Sequence, residues 1–400
     1  MREETNGRRK FLKGLMGVGV VVAGGTVYRA VDNGVFSVGK GEPFTPWTDW
    51  QSASKSGELA IINAAVLAAN PHNTQPWIFE LRDNAIWLYA DTARHLGTMD
   101  VYGRELCIGL GCAVENMVQA TPAFGFEATV LLGDTDLTKQ TWSGVPMHVA
   151  TITLTPTGKQ EQSELYQAIG HRHTDRGEYQ RDTPIDASSM SALTAMANES
   201  FPDVSLSLLT TKVERDDFTQ QTVNATRFIA ADHQMSSDSF RWFRLSHKEM
   251  QAHRDGVYID TAGLPPAMRA ISKIMPTLSE ESSNQYWIEG TQRTMESTPM
   301  HGLITLNNLY SSKQNIEAGR LWQRIHLWST TQGISMQPVN QTCEVIDRQK
   351  QLEQPQTFAD DLRALSGKPQ SATFAFRAGY PTLTAIPSPR RALKDVVASA

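Results

Sequence analysis

Cysteine is scarce: Cys107, Cys112 and Cys343 are the only three in 400 residues, and no two form a Cys-x-x-Cys pair. A complete disulfide set is therefore excluded. Cys107 and Cys112 stand five apart on a helical pattern and do not face each other, so the thiols read as free and buried. There is no Gly-x-Ser-x-Gly elbow and no cysteine in an electropositive loop, which removes the usual marks of nucleophilic hydrolysis. The stretch Gly109-Leu-Gly-Cys-Ala-Val114 lacks the third glycine of a dinucleotide fingerprint and lies within a helical pattern. A dedicated dinucleotide domain is not expected. Low-complexity tracts and short repeats are also missing.

Charge of either sign is modest, with a formal net value of −5. Its distribution is uneven. The first thirteen residues hold Arg2, Arg8, Arg9, Lys10 and Lys13 against Glu3 and Glu4, a local +3 that leaves −8 for the remainder. A mildly acidic body argues against nucleic acid as a main partner; a small-molecule partner is expected from the sequence motifs, not from charge. Gly7-Arg-Arg-Lys-Phe-Leu-Lys13 followed by the apolar run Leu15 to Val27 matches a twin-arginine export signal, with a basic tail as the plainer alternative. The run is shorter than the roughly twenty residues that span a bilayer. No clean Ala-x-Ala site follows, so the segment is expected to persist as an anchor. The expected location is the periplasm, free or attached to the membrane.

Hydrophobic residues make up 40% of the chain, ample for a sizeable core. The patterning suggests residues 1–30 as export signal, 31–56 as linker, 57–157 as a first folded half and 158–400 as a second. Within the first half the spacing predicts a helix over 58–69, a hairpin of Trp77–Arg82 and Ala85–Ala90, a helix near 103–120, and strands at Phe126–Leu132 and Met147–Leu154. In the second half it predicts a helix over 161–170, a helix capped by Asp186, a strand at 204–208, helices over 313–332 and 356–365, and a strand at Thr373–Phe376. Residues 233–300, polar and rich in Met and Ser, read as a lid or insertion.

Chemistry concentrates in a few segments. Asn70-Pro-His-Asn-Thr-Gln-Pro-Trp77 places Asn70, Pro71, His72, Asn73 and Gln75 on a ledge between an apolar helix and an alternating strand. Two prolines push the residues before them, Asn70 and Gln75, toward extended backbone. Such a polar ledge suits in-plane hydrogen bonding to a flat heterocycle; it is equally compatible with an ordinary turn. Arg172-His-Thr-Asp-Arg176 gathers two guanidiniums, the Thr174 hydroxyl and His173, a set suited to phosphate oxygens and ring carbonyls. His171 and His173 also admit a zinc reading, which the flanking arginines disfavour. Pro387-Ser-Pro-Arg-Arg391 is a second basic knot, and Gln337-Pro-Val-Asn-Gln341 follows a glycine-terminated helix.

Together these segments resemble the nitroreductase family, in its single-chain, Acg-like form with two fused halves. The family pattern Ala-Pro-Ser-x-x-Asn-x-Gln-Pro-Trp is matched by Ala68 to Trp77, and Arg-Arg/His-Ser/Thr-x-Arg/Lys by Arg172 to Arg176. The loop bearing Pro338 and the closing Gly379-Tyr-Pro381 and Arg390 segments complete the set. The resemblance implies an α+β fold in which the two halves form an intramolecular pseudo-dimer around one FMN. It assigns Arg172, Arg390 and Thr174 to the phosphate, Arg176 to the pyrimidine edge, and Asn70 and Asn73 to the isoalloxazine. Backbone N–H groups of Asn340 and Gln341 would reach the N5 region, with Arg391 as a supporting cation. Asn70 replaces the family's serine, Gln341 a frequent glycine, and Ser388 a frequent basic residue. No metal and no covalently acting side chain is implied.

The resemblance implies an FMN oxidoreductase passing hydride or electrons to an electron-poor organic acceptor. An exported protein that binds or sequesters flavin with little turnover is the second reading. A metal-assisted hydrolase built on His72, His171 and His173 is a third.

Overall fold

The computed structural model describes residues 28–52, 57–139, 142–367 and 371–398. The arginine pair and the apolar run, and with them the export reading, lie outside the described residues. From Gly57 onward the elements are α1 (Gly57–Val66), β1 (Trp77–Arg82), β2 (Ala85–Ala90), α2 (Arg104–Ala120), β3 (Phe126–Leu132) and β4 (Met147–Pro156). There follow α3 (Ala187–Ser200), β5 (Val204–Leu209), α4 (Lys212–Ala231), α5 (His233–Phe240), α6 (His247–His253), α7 (Pro266–Ile274) and α8 (Glu280–Glu296). The described chain closes with β6 (Met300–Leu306), α9 (Ser312–Thr331), β7 (Ser335–Pro338), α10 (Gln341–Gln351), α11 (Thr357–Ser366) and β8 (Ser371–Gly379).

The result is an α+β architecture with two four-stranded antiparallel sheets, ordered β1-β2-β4-β3 and β5-β6-β8-β7. In the first, alternation turns Trp77 and Phe79 into the core. The second is centred on β6, whose seven residues are all buried. The C-terminal tail crosses back to the first sheet. Phe79 N–H donates to Val396 O at 2.8 Å and Ala398 N–H to Phe79 O at 2.8 Å, which covers the β1 edge.

Two long helices carry the contact between the sheets' layers. Gly111 on α2 faces α9, where an added Cβ would stand 2.0 Å from Ile316 O; Gly319 on α9 would place one 2.1 Å from Ile108 O. Reciprocal glycines thus let the two backbones touch. Beside the crossing runs a chain of buried amides. Gln323 Nε2 donates to Asn116 Oδ1 (2.7 Å), Asn116 Nδ2 to Ala64 O (2.8 Å), and Ala69 N–H to Gln323 Oε1 (3.2 Å). This ties α9 to the far end of α1, where the ledge begins.

Several expectations need correction. Residues 42–50 do not form a free linker: Phe44, Trp47 and Trp50 are buried, at the i, i+3, i+6 spacing of a helical face. The helix expected over 161–170 is helical only at Glu164–Ala168. The stretch 233–300 is mainly helical, holding α5 to α8; α8 packs on α4, and Met300 at its end opens a central strand of the second sheet. Helix α4 itself lay in sequence not assigned to any element. Its capping box, Thr211 with Glu214, was a readable Thr-x-x-Glu signal.

His301, on β6, is fully buried with neither ring nitrogen hydrogen-bonded. Burial, then the nearby charges of Arg377 and Arg215, push it from 6.5 down to about 3. Between those values the unfolded chain holds a proton that the folded chain refuses, so this group makes stability fall as pH drops below 6.5. The slope is ~1.4 kcal/mol per pH unit. His301→Leu is expected to remove that slope and leave stability at neutral pH unchanged or higher, because an unpartnered polar ring is gone. Urea midpoints across this pH range check it; an unaltered slope would refute it.

Candidate functional site

Pro71 holds Asn70 extended at φ −160° and ψ 156°, as its position before proline requires. Beyond that the ledge is not the stiff extended segment expected. Pro71–Asn73 form a 3-10 turn, and His72, Asn73 and Gln75 take positive φ of 46°, 55° and 51°. Gln75, which precedes Pro76, is therefore left-handed, not extended. Three of the six non-glycine residues with positive φ among those described fall in these four positions. Such strain persists only where surrounding structure imposes it, and it collects at functional sites. The imposing contacts are visible. Asn70 Oδ1 accepts from Gln75 N–H (2.7 Å), and Gln75 Nε2 donates to Arg254 O (2.8 Å). Gly256 N–H donates to Asn73 O (3.1 Å). Gly109 on α2 lets the ledge sit close, since a Cβ there would stand 2.9 Å from Pro71 Cδ.

The second wall is the segment after Ala168. Thr174 pairs with Met336 as an isolated bridge on the β7 edge, and Asp175 N–H donates to Met336 O at 3.1 Å. This turns Arg172 and Arg176 inward. Arg172 Nη2 donates to Leu67 O at 2.9 Å, at the carbonyl end of α1. Arg390 arrives from the C-terminal segment. It donates to Asn73 Oδ1 (2.6 Å), Ser388 Oγ (2.5 Å) and Pro389 O (3.0 Å), and lies over the Trp47 ring with 4.7 Å to its centroid. A cleft lined by Asn70, Asn73, Arg172, Thr174, Arg176 and Arg390 results. Six of the residues named from sequence thus converge from three distant stretches of chain.

The electrostatics of this cleft are one-sided. Arg172 and Arg390 are buried, and neither has a carboxylate partner among the described residues. The Nε of each lacks a hydrogen-bond acceptor. Burial pushes Arg172 down to about 10, and burial together with Arg172 pushes Arg390 well below its usual value. Arg176 is likewise pushed down to about 10, first by burial and then by Arg377, with Asp175 opposing. His173 is pushed down to about 3 by burial and by Arg172, Arg390 and His171, so it is neutral at physiological pH. Buried cations without counter-charge are costly, and an anionic ligand offsets that cost.

Other expected residues lie elsewhere or act differently. Asn73 does not present its amide to the cleft as a free donor. Its Nδ2 donates to Gly256 O (3.2 Å) and Pro389 O (2.9 Å) while Oδ1 holds Arg390, so it positions the guanidinium. His72 is half-buried with its Nε2 3.0 Å from Ser239 Oγ, whereas His173 packs edge-on to Trp47. Gln75 receives Arg391 N–H on Oε1 at 2.7 Å, and the Arg391 guanidinium turns to Gln75 O (3.3 Å) and Asp395 O (2.6 Å). Pro71 packs on α2. Pro338 pairs with Phe376 in the second sheet. Asn340 and Gln341 are not in this cleft. Asn340 sits at the N-terminus of α10, accepting from Ala375 N–H (3.0 Å) and donating to Glu105 (2.5 Å) beside a separate acidic cavity with Asp100 and Glu344. Among the described residues no group of three or more His, Cys, Asp or Glu is placed to hold a metal.

The wall residues not anticipated from the sequence include Trp47, Gly256, Val257, Thr261 and Ile386. Trp47, whose Nε1 donates to Ser388 O at 2.8 Å, carried a signal in the aromatic spacing at 44–50. Gly256 and Thr261 come from the supposed insertion, and Thr261 O accepts from Arg176 at 3.4 Å; nothing local marks them.

No family model matches the chain. A stretch of 120 residues is 31% identical to the Mycobacterium tuberculosis protein named "Putative NAD(P)H nitroreductase MT3217", covering 30% of this chain and 33% of that one. The counterpart from strain H37Rv, Rv3131, matches to the same extent. The chain therefore spans about a third of the length of the curated relatives it matches. Among solved structures, a Desulfitobacterium hafniense nitroreductase with bound FMN aligns over 60% of this chain and 100% of its own, at 14% identity and TM-score 0.37. The FMN-dependent nitroreductase NfnB of Mycobacterium smegmatis, in complex with NADPH, aligns over 59% of this chain and 98% of its own, at 16% identity and TM-score 0.38.

Proposed function

We propose that this chain is an FMN-dependent oxidoreductase of the nitroreductase family, its single cofactor site lying where the two halves meet in a pseudo-dimer. The observation that carries the reading is the buried pair Arg172 and Arg390, without carboxylates and each with Nε free, against the strained ledge. Two guanidinium forks with unused donors fit a phosphate dianion. Thr174 stands between Arg172 and Arg176 on the same wall, and Arg176 would supply positive charge toward the flavin ring. Asn73 acts through Arg390, and Asn70 braces the ledge. The 31% identity to the mycobacterial nitroreductases supports the same assignment.

When bound, FMN would supply hydride or electron transfer to an electron-poor organic acceptor. The chain's own residues bind the phosphate, orient the ring and exclude water. Trp47 closes one side, and Gly256 and Thr261 close another.

That closure also favours the second reading, a flavin-holding protein with little turnover. The segment from Arg254 to Thr261 is hydrogen-bonded directly to Gln75, Asn73 and Arg176. The visible spectrum of cofactor-replete purified protein tests both. Flavin bands with FMN as the released cofactor are expected, and their absence would defeat both readings. Bleaching by NADPH with reoxidation by a nitroaromatic acceptor supports the enzyme. Flavin that stays oxidised with every small donor supports holding alone.

A further inference from the structure

Helix α7 is built inside out. Its lysine, Lys273, is buried, with Nζ donating to Asp260 Oδ2 (2.8 Å) and Gly34 O (2.9 Å), and Arg269 turns to the same carboxylate at 3.8 Å. Its apolar residues face solvent instead. Met268 and Ile271 are 55% and 60% exposed, and Met275 and Leu278, just beyond the helix, are 59% and 47% exposed. Spacings of three and four put Met268, Ile271 and Met275 on one side of the helix. A surface helix of a globular protein shows the opposite arrangement, and a contiguous apolar patch marks an interaction site. No carboxylate occurs between Pro266 and Leu278 to oppose burial of this face.

The position of the patch identifies its occupant. Lys273 grips Gly34, and the Tyr258 hydroxyl donates to Asn33 O at 3.3 Å. These backbone groups belong to the stretch that directly follows the apolar run Leu15–Val27 in sequence, and Tyr28, Val31 and Phe36 within it are also exposed. The inward face of α7 is therefore stapled to the stretch that directly follows the apolar N-terminal run in sequence, leaving the apolar face outward beside it. That run is thirteen residues long, short of the roughly twenty needed to span a bilayer, and stable attachment commonly combines two weak signals.

We propose that α7 and the following Met275–Leu278 segment dock on a lipid bilayer, lying in its headgroup–acyl boundary, an inference that rests on the reading of the apolar N-terminal run as a membrane anchor. The connection to the cleft is short: Gly263 lies on the backbone of Arg176 and Gly177, where an added Cβ would meet Arg176 C at 2.3 Å. The docking helix thus begins five residues after Thr261 of the cleft wall. The proposal holds whichever cofactor the cleft takes.

The test uses the full chain carrying Ile271→Cys labelled with an environment-sensitive dye. Cys107, Cys112 and Cys343 are buried, so the introduced thiol is the accessible one. Mixed phosphatidylethanolamine and phosphatidylglycerol vesicles are expected to blue-shift the dye, and brominated acyl chains to quench it several-fold more than a label at Asn224→Cys on α4. An unquenched label on vesicle-bound protein would overturn the proposal. So would a blue shift without vesicles: if independent of concentration, the chain's own apolar run covers the helix, and if rising with concentration, a second copy does. Ile271→Glu with Met275→Glu is expected to lower the vesicle-bound fraction several-fold while leaving cofactor absorption unchanged; an unaltered fraction also counts against docking.

Discussion

FMN retention is expected to collapse in the double variant Arg172→Met, Arg390→Met, while the stability of the cofactor-free protein changes little. Hydrogen bonds to charged groups contribute ~1.5–3 kcal/mol each, so losing one from each fork costs ~3–6 kcal/mol of binding. That corresponds to a ~10²–10⁴-fold weaker dissociation constant. Stability responds differently because the two cations are buried without counter-charge, and replacing such groups by apolar side chains of similar size is often neutral or favourable. Against this, the carbonyls of Leu67 and Ala68 lose donors that cap the end of α1. The two effects oppose each other, and a net change within ~2 kcal/mol is expected. Flavin fluorescence titration read beside urea denaturation of the apoprotein separates binding from folding. Undiminished FMN in the double variant would place the phosphate elsewhere.

Gly111→Ala is expected to be among the most damaging single substitutions in the chain. The new Cβ would stand 2.0 Å from Ile316 O and 3.0 Å from Gly319 Cα, backbone atoms that no rotamer change can move aside. The two helices must separate. Overpacking of this kind costs ~1–3 kcal/mol, and here the upper end applies because the amide chain through Gln323 and Asn116 runs beside the crossing. Separation also pulls the ledge from the arginines, so cofactor affinity should fall with stability. Gly319→Ala, clashing with Ile108 O at 2.1 Å, should do the same. Gly290→Ala is the control: on α8 an added Cβ meets only the tip of Arg293 at 4.0 Å, and a gain of ~0.5–1 kcal/mol is expected from helix propensity. Denaturation midpoints for the three variants decide the matter, and wild-type stability in both crossing variants would count against the close approach.

Local patterns were legible where local physics governs. The hairpin Trp77–Arg82 with Ala85–Ala90 follows from alternation and a turn at Asp83-Asn84, and Asp186 caps α3 through its bond to Ser189 N–H. The glycines at 109 and 111, unsuited to a dinucleotide loop, could not announce their use in packing. That use depends on Pro71 and Ile316, far away in sequence.

Residue type and local backbone preference mark the segments that carry chemistry: Asn70 to Asn73, Arg172 to Arg176 and Arg390 are readable as polar and cationic groups on proline- or helix-bounded turns. What each of them does follows from long-range packing. Asn73 faces Arg390 because the C-terminal segment returns across the molecule, Arg391 turns away to Gln75 and Asp395, and Asn340 is carried to another cavity by the start of α10. The physical reason is common to all three. Residue type and local backbone preference are short-range properties, whereas the partner that satisfies a buried donor is chosen by whichever distant element the packed core brings within 3 Å.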